Sequence, residues 1–212
     1  MSPEIALVAI VVVILSIIFH EVAHGYVANW LGDPTARLQG RLTLNPLPHI
    51  DPIGSIIIPG ILLLSHTPFL IGWAKPVPYN PYNLRHGKWG EALVSAAGPL
   101  TNIIIAVLFA LILRFGIITS PVFLQVAIIA IFANIALAII NLIPIPPLDG
   151  SKILRAVLPY QAAIAFGKLE QMTYAFGPFG LIGILLLFVF VFSDIVFALV
   201  RLLFSLLTGI SP

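Results

Sequence analysis

The chain has 212 residues, of which 60% are hydrophobic and 8% are charged, and its mean hydropathy is +1.12. Soluble domains carry about 25% charged residues, so this composition excludes an ordinary soluble fold and indicates a membrane protein. The net charge of +2 arises from few charges, and we expect a lipid bilayer but no nucleic acid as a partner. The sequence contains no cysteine, which excludes disulfides and thiolate metal sites.

Four long apolar segments predict membrane-spanning helices, at about residues 3–31, 91–113, 121–143 and 177–200. Each contains about 20 or more apolar residues, enough to cross ~30 Å of hydrocarbon. Arg201 is expected to end the last span (177–201), and residues 152–176 are predicted to lie at the membrane interface. The predicted fold is an all-α polytopic membrane protein, a helical bundle with broken helices. It is expected to form a single domain, residues 1–212, with its core at about 3–152.

Two connecting stretches follow other patterns. Residues 36–44 alternate apolar and polar side chains in a strand-like way. Residues 53–73 are apolar, but glycine and proline interrupt them, at Gly54 and Pro59 among other positions. Non-helical backbone at membrane depth is tolerated only where it is buried in protein or lines a cavity. Residues 53–73 are therefore predicted to form either a kinked span or a re-entrant, β-hairpin-like segment.

The first apolar segment contains the sequence HEVAH, formed by residues 20–24. An acid and two imidazoles are costly in a membrane helix, so they indicate a functional or a pairing role. His20 and His24 share one helix face, which allows both to bind one metal ion. Glu21 projects to one side of that pair, where it is placed to take a proton from a metal-bound water. The alternative is a buried polar cluster that stabilises helix packing.

A third metal ligand is expected elsewhere in the chain, because a catalytic zinc usually has three protein ligands and a water. Asp149 is the best candidate, since it follows a helix that three prolines break. The freed backbone of a broken helix is tolerated at membrane depth where it lines protein or a wet cavity. Asp149 is therefore the candidate partner of His20 and His24.

HEVAH on one membrane helix and NLIPIPPLDG in a later one, at residues 141–150, together resemble the site-2 protease family of intramembrane zinc metalloproteases. The sequence GPLTN, at residues 98–102, is similar to the GPxxN element of that family. The chain resembles short bacterial and archaeal members and has no room for a PDZ insert. The resemblance therefore implies a prokaryotic cell membrane and leaves substrate selection by such an insert in doubt.

The resemblance also implies roles for individual residues. Glu21 corresponds to the catalytic glutamate. Asn141 is similar to an asparagine that helps to position the substrate, and Asn102 is a weaker candidate for substrate positioning. Both amides have helix packing as an alternative role, because amides link membrane helices. The zinc ligands of the family, which hold one Zn²⁺ per chain, correspond to His20, His24 and Asp149.

These features predict a zinc-dependent intramembrane endopeptidase that cleaves transmembrane segments of other membrane proteins. A non-proteolytic metal transporter or metal-dependent chaperone on the same scaffold is the alternative. A transporter needs ligands along a path, whereas the intramembrane polar groups here converge on one site. An inactive protease is disfavoured by the presence of Glu21. The sequence leaves the oligomeric state open.

The distribution of Lys and Arg predicts the orientation. For His24 and Asp149 to meet, the helices that carry or precede them must run parallel, which requires residues 53–73 to be re-entrant. Eight Lys and Arg residues then lie on one side of the membrane, and Arg114 and Arg201 lie on the other. Because loops rich in Lys and Arg stay cytoplasmic, the active site is expected towards the cytoplasm, with the N-terminus outside.

Overall fold

The computed structural model describes residues 3–65, 72–177, 180, 183 and 191–210. Short 3₁₀ or π-helical turns occur at Leu47–His49, Pro52–Ile57 and Pro81–Asn83. No strand is present in the described residues, which confirms the all-α prediction. The α-helices are α1 (Pro3–Trp30), α2 (Thr35–Leu38), α3 (Ile58–Leu64), α4 (Lys88–Arg114), α5 (Pro121–Leu142), α6 (Asp149–Val157), α7 (Tyr160–Ala175) and α8 (Ser193–Thr208).

Helices α1, α4 and α5 pack against one another and form the core of the bundle. The stretches Leu7–Trp30, Lys88–Arg114 and Pro121–Leu142 are each long and apolar enough to cross a membrane. Small buried residues such as Ala106 and Ala130 let the helix backbones approach closely. Many large aliphatic side chains of these helices are exposed on the outside, where lipid would cover them. The prediction of a polytopic helical membrane protein is confirmed.

The last predicted span, residues 177–200, is described at residues 177, 180, 183 and 191–200. Its final part begins α8, which packs on α4 and α5 through Val196 and Val200. The helix itself does not end at Arg201, because α8 continues for seven residues beyond it. The Arg201 side chain is exposed, so its charge stays outside the core while the helix continues.

The alternation in residues 36–44 predicted strand-like backbone, and this prediction is wrong, because α2 occupies the start of this stretch and no strand follows. The Asp33 carboxylate accepts hydrogen bonds from the Thr35 N–H (3.3 Å) and from its hydroxyl (2.6 Å). The Arg41 N–H then donates to the Ala36 carbonyl at 2.9 Å. Side-chain hydrogen bonds of this kind stabilise turns in place of extended backbone, and hydropathy alternation does not reveal them.

The two described ends of the stretch 53–73 lie next to each other. The outgoing part is the π-helical turn followed by α3. On the return, the Trp73 N–H donates to the Gly54 carbonyl at 3.1 Å, and the Ser55 hydroxyl donates to the Trp73 carbonyl at 2.9 Å. A glycine is required at position 54, because a Cβ atom there would overlap the Trp73 ring. The segment is therefore re-entrant; its described part is helical, not a β-hairpin, and residues 66–71 lie outside the described residues.

The predicted interfacial segment, residues 152–176, consists of most of α6 and all of α7. Arg155 on α6 forms ion pairs with Glu91 at the start of α4 and with Glu170 on α7, the second at 2.8 Å. The first ion pair holds α6 against α4, and the second joins α6 to α7. Because α6 begins at Asp149, they also fix the place of that carboxylate.

Candidate metal centre

His20 and His24 lie one turn apart on α1 and are 5% and 7% exposed. Their Nε2 atoms are 3.1 Å apart. Gly98 on α4 packs against both rings: a Cβ atom there would lie 2.5 Å from His24 Nε2 and 2.6 Å from His20 Nε2. The glycine therefore leaves free a small space beside the two nitrogens that any larger residue would fill.

Asp149 reaches this space from the first position of α6. Its Oδ2 atom lies 3.1 Å from His20 Nε2 and 3.3 Å from His24 Nε2. Ligand bonds of about 2.0–2.2 Å in a tetrahedral zinc site place the donor atoms about 3.3 Å apart. The three donor atoms thus form a triangle of the size that one zinc ion requires, and among the described residues they are the only such group of His, Asp and Glu.

The hydrogen bonds around the triangle leave its inner atoms free for a metal ion. His20 Nδ1 lies 2.6 Å from the side-chain Oδ1 of Asn102, and His24 Nδ1 lies 2.7 Å from the backbone carbonyl of Val94. Both partners accept hydrogen bonds, so each Nδ1 carries the proton and each Nε2 presents a lone pair. Asp149 Oδ2 is buried and makes no hydrogen bond. Three acceptors that face one another without a donor fit a bound cation, and the two-imidazole, one-carboxylate set fits zinc.

The two predicted substrate-positioning asparagines lie in different surroundings. Asn102 is fully buried, and its amide contacts His20, Ser16 and Asn134, so it touches the metal centre from behind. Asn141 is half-buried, and its amide donates to the Leu137 carbonyl of its own helix at 3.0 Å. Asn141 makes no hydrogen bond to the three candidate ligands within the described residues.

Glu21 is held by a loop that the sequence reasoning did not include in the site. Its Oε2 atom accepts a hydrogen bond from the Val77 N–H at 2.8 Å. Arg41 fixes that loop, because its Nη2 donates to the carbonyls of Lys75 (2.8 Å) and Pro76 (3.2 Å). Burial lowers the pKa of the Arg41 guanidinium, while the nearby negative charge of Glu21 acts in the opposite direction. The one available signal in the sequence was the proline pair around position 77, which leaves a single N–H donor there.

An apolar groove of about 310 Å³ runs beside the same helix. On α1 it uses Phe19, Ala23 and Tyr26, on a face that adjoins the one carrying His20 and His24. Residues 42–44 and Thr101 of α4 also line the groove.

Comparison with known proteins identifies the family. A family model described as Peptidase family M50 matches residues 116–187. The Bacillus subtilis protein named "Putative zinc metalloprotease YwhC" is 39% identical over 188 residues, which cover 85% of this chain and 79% of that protein. "Putative zinc metalloprotease Rip2" of Mycolicibacterium smegmatis is 30% identical over 138 residues, 65% of this chain and 52% of that protein. "Zinc metalloprotease MJ0392" of Methanocaldococcus jannaschii is 27% identical over 154 residues, 71% of this chain and 34% of that protein. No solved structure matches the chain significantly.

The matches agree with the structure in the kind of protein they indicate. The chain spans about half of the mycobacterial relative and about a third of the archaeal one, but more than three quarters of the Bacillus protein. The relatives are named zinc metalloproteases, the helices are apolar enough for a membrane, and a His-His-Asp group suited to zinc lies among them. The protein is a zinc metalloprotease of the membrane, and the chain belongs to peptidase family M50, the site-2 protease family.

Proposed function

We propose that the protein is an intramembrane endopeptidase that cleaves transmembrane segments of other membrane proteins. In this proposal His20, His24 and Asp149 hold the zinc ion, and Glu21 is the catalytic residue. The observation that carries it is the triangle of three buried donor atoms, 3.1–3.3 Å apart, inside an apolar helix bundle. Asp149 Oδ2 is buried without a hydrogen bond. A polar group that only stabilised helix packing would be hydrogen-bonded, so this atom favours a metal-binding role over a packing role.

The chemistry proposed is peptide hydrolysis. A bound zinc ion supplies Lewis acidity, which polarises a carbonyl and lowers the pKa of water. Glu21 takes the proton of the attacking water as general base and delivers it to the nitrogen of the leaving amine. The Val77 N–H donates to Glu21 Oε2 and so orients the carboxyl group for this transfer.

The depth of the site supports a membrane-spanning substrate. His20 and His24 belong to the stretch Leu7–Trp30, which is long and apolar enough to span the bilayer. A substrate helix must unwind before its carbonyl groups can react, so helix-weakening Gly, Pro or Asn near the cleaved bond should favour cleavage. The apolar groove beside α1 is suited to apolar side chains of such a segment. The proline- and glycine-containing residues 45–75 are the proposed place for unwound substrate to pair.

Metal transport is the rival function, and the placement of the polar groups disfavours it. A transporter requires successive sites along a path. In the part of the chain that the structure describes, one group of candidate metal ligands is found. Gly98 packs against both imidazoles of this group, and Asn102 contacts His20.

In the proposed orientation the site lies towards the cytoplasm of a prokaryotic cell. The proposed domain organisation is a single domain of residues 1–212. The re-entrant course of residues 53–73 supports this orientation, because it makes α1 and α5 run in the same direction across the membrane. Most Lys and Arg residues then share one side, which is the cytoplasmic side by the positive-inside rule.

The test is cleavage by purified protein in detergent. Model substrates with a single membrane span are incubated with wild type, with wild type plus a zinc chelator, and with Glu21→Gln. Cleavage within the span by wild type, lost in both other arms while Glu21→Gln retains zinc, is the expected result. Glu4→Gln, the same substitution at an exposed position of α1, should cleave normally. Cleavage that persists in chelator and in Glu21→Gln would overturn the proposal.

A further inference from the structure

Three buried polar residues form a hydrogen-bonded chain behind the metal centre. Asn102 on α4 and Asn134 on α5 are fully buried, and Ser16 on α1 is 4% exposed. Asn102 Nδ2 donates to Asn134 Oδ1 at 2.8 Å, and Asn134 Nδ2 donates to Ser16 Oγ at 2.8 Å. The last partner of Asn102 is His20 Nδ1, 2.6 Å from its Oδ1. The chain therefore runs across three helices and ends on a candidate zinc ligand.

At the Ser16 end of this hydrogen-bonded chain, the neighbouring groups fix which atom donates and which accepts in each hydrogen bond. Asn134 Nδ2 also lies 2.8 Å from the Ala130 carbonyl, which can only accept a hydrogen bond. The Ser16 hydroxyl gives its own proton to the Val12 carbonyl at 2.8 Å, so towards Asn134 it too can only accept. The NH₂ group of Asn134 must face these two acceptors, and its carbonyl oxygen must face Asn102.

The orientation of Asn134 fixes that of Asn102 and, through it, the position of the proton on His20. Since Asn134 presents an oxygen, Asn102 must turn its NH₂ group towards it and its own oxygen towards His20. An oxygen at 2.6 Å from His20 Nδ1 requires the proton on Nδ1 and leaves the Nε2 lone pair pointing at His24 and Asp149. The opposite tautomer would place a proton inside the metal centre and prevent ligation by Nε2.

We propose that Asn134 is a positioning residue of the metal centre, which fixes the amide of Asn102 and through it selects the metal-binding tautomer of His20. Asn134 does not touch the ligands itself. The proposal rests on the proposed role of His20 as a zinc ligand. A pure packing role for Asn134, in which amides only link helices, predicts instead that its loss affects stability and not the metal.

Zinc affinity separates the two roles. The zinc dissociation constant of purified protein is measured by chelator competition for wild type, Asn134→Leu and Ile131→Ala. Ile131 is a fully buried apolar residue on the same helix, in the cluster that contains Ala106 and Val196, so its truncation is the control for lost packing. Loss of a residue that orients a ligand typically weakens metal binding by about 10–100-fold. We expect that loss for Asn134→Leu, a near-wild-type constant for Ile131→Ala, and a lowered unfolding temperature of the metal-free protein in Ile131→Ala.

A second readout reports the tautomer directly. In metal-free protein labelled with ¹⁵N in the imidazole rings, the His20 nitrogen shifts should show the Nδ1–H tautomer for wild type and a mixture for Asn134→Leu. If Asn134→Leu fails to fold, Ser16→Ala takes its place, because it removes one of the two acceptors that orient Asn134. An unchanged zinc constant and an unchanged tautomer in the folded variant would overturn the proposal, as would an equal loss of affinity in Ile131→Ala. His20→Ala distinguishes failure of the ligand assignment, since that variant retains full zinc affinity only if His20 is not a ligand.

Discussion

The backbone N–H of Val77 donates a hydrogen bond of 2.8 Å to Oε2 of Glu21, although the two residues are far apart in the sequence. Val77 lies between Pro76 and Pro78, which have no N–H, so it is the one backbone donor in this short stretch. Because residues before proline favour extended backbone, the Val77 N–H lies roughly perpendicular to the direction of the backbone. The proposed base is therefore oriented by a loop outside α1, and Arg41 anchors this loop.

Arg41→Gln should slow cleavage while zinc content stays at the wild-type level. The variant removes the guanidinium that holds the Lys75 and Pro76 carbonyls, so the Val77 donor can shift from Glu21. A displacement of about 1 Å in a catalytic group can cost on the order of 100-fold in rate. Turnover of a model substrate and elemental analysis check this, with Arg37→Gln, an exposed neighbour, as control. An equal loss in both variants would assign the effect to general positive charge.

Gly98→Ala should abolish zinc binding. The added methyl group would lie 2.5–2.6 Å from the Nε2 atoms of His20 and His24, closer than any van der Waals contact allows, and the imidazoles would have to turn away. Gly167→Ala is the matched control, because a methyl group on that α7 glycine meets nothing within 4 Å. Helix propensity alone favours both substitutions by about 1 kcal/mol. Normal zinc stoichiometry in Gly98→Ala would show that the centre is wider than the structure indicates.

Asn141→Ala should reduce cleavage without loss of zinc. The Asn141 amide uses one N–H on the Leu137 carbonyl and keeps its oxygen available to extended backbone of a substrate. The residue lies eight positions before Asp149, next to the broken end of α5. Initial rates for several model substrates are compared with wild type. Unchanged rates with all of them would leave Asn141 as a helix-packing residue.

The candidate ligands could be recognised because each is a polar residue in or beside an apolar helix, and for the two histidines the geometry is local. His20 and His24 share a helix face by their spacing alone, and both are costly in an apolar segment unless they have a role. Asp149 stands out in the same way, directly after a proline-broken apolar helix. The structure brings these three side chains together as the sequence suggested, within 3.3 Å of one another.

The residues that orient those ligands could not be predicted, because tertiary packing alone brings them together. Asn134 reads as one more amide in an apolar helix, and only the crossing of α1, α4 and α5 shows that it reaches Asn102. Arg41 and Val77 are likewise joined to Glu21 by loop packing. The course of residues 53–73 also stayed open, since glycine and proline in an apolar run fit a kinked span and a re-entrant segment equally.

Asp33 should make the fold sensitive to acid. Burial of this carboxyl acts to raise its pKa, but hydrogen bonds from Thr35, Asn83 and Asn80 outweigh burial and hold the pKa below its ordinary value. A lowered pKa in the folded state contributes stability above the unfolded value of about 3.9. This contribution is lost as the pH falls through the folded pKa.

Asp33→Asn removes that titration, because its amide has no charge to lose. We expect the unfolding temperature of wild type in detergent to fall more steeply below about pH 4 than that of the variant, whose stability should be lower at neutral pH. Parallel curves over this range would show that other carboxyls determine the acid sensitivity.

The orientation of the chain can be tested with single cysteines, because the sequence contains none. In the proposed topology, with residues 53–73 re-entrant, Lys75 and Lys152 lie on one side of the membrane and Arg114, after one crossing by α4, lies on the other. The positive-inside rule assigns Lys75 and Lys152 to the cytoplasm. An impermeant thiol reagent added to intact cells should therefore label Arg114→Cys and not Lys75→Cys or Lys152→Cys, whereas all three should react in permeabilised cells. Labelling of position 75 or 152 in intact cells would reverse the proposed topology and place the metal centre towards the outside, while the assignment to the protease family would stand.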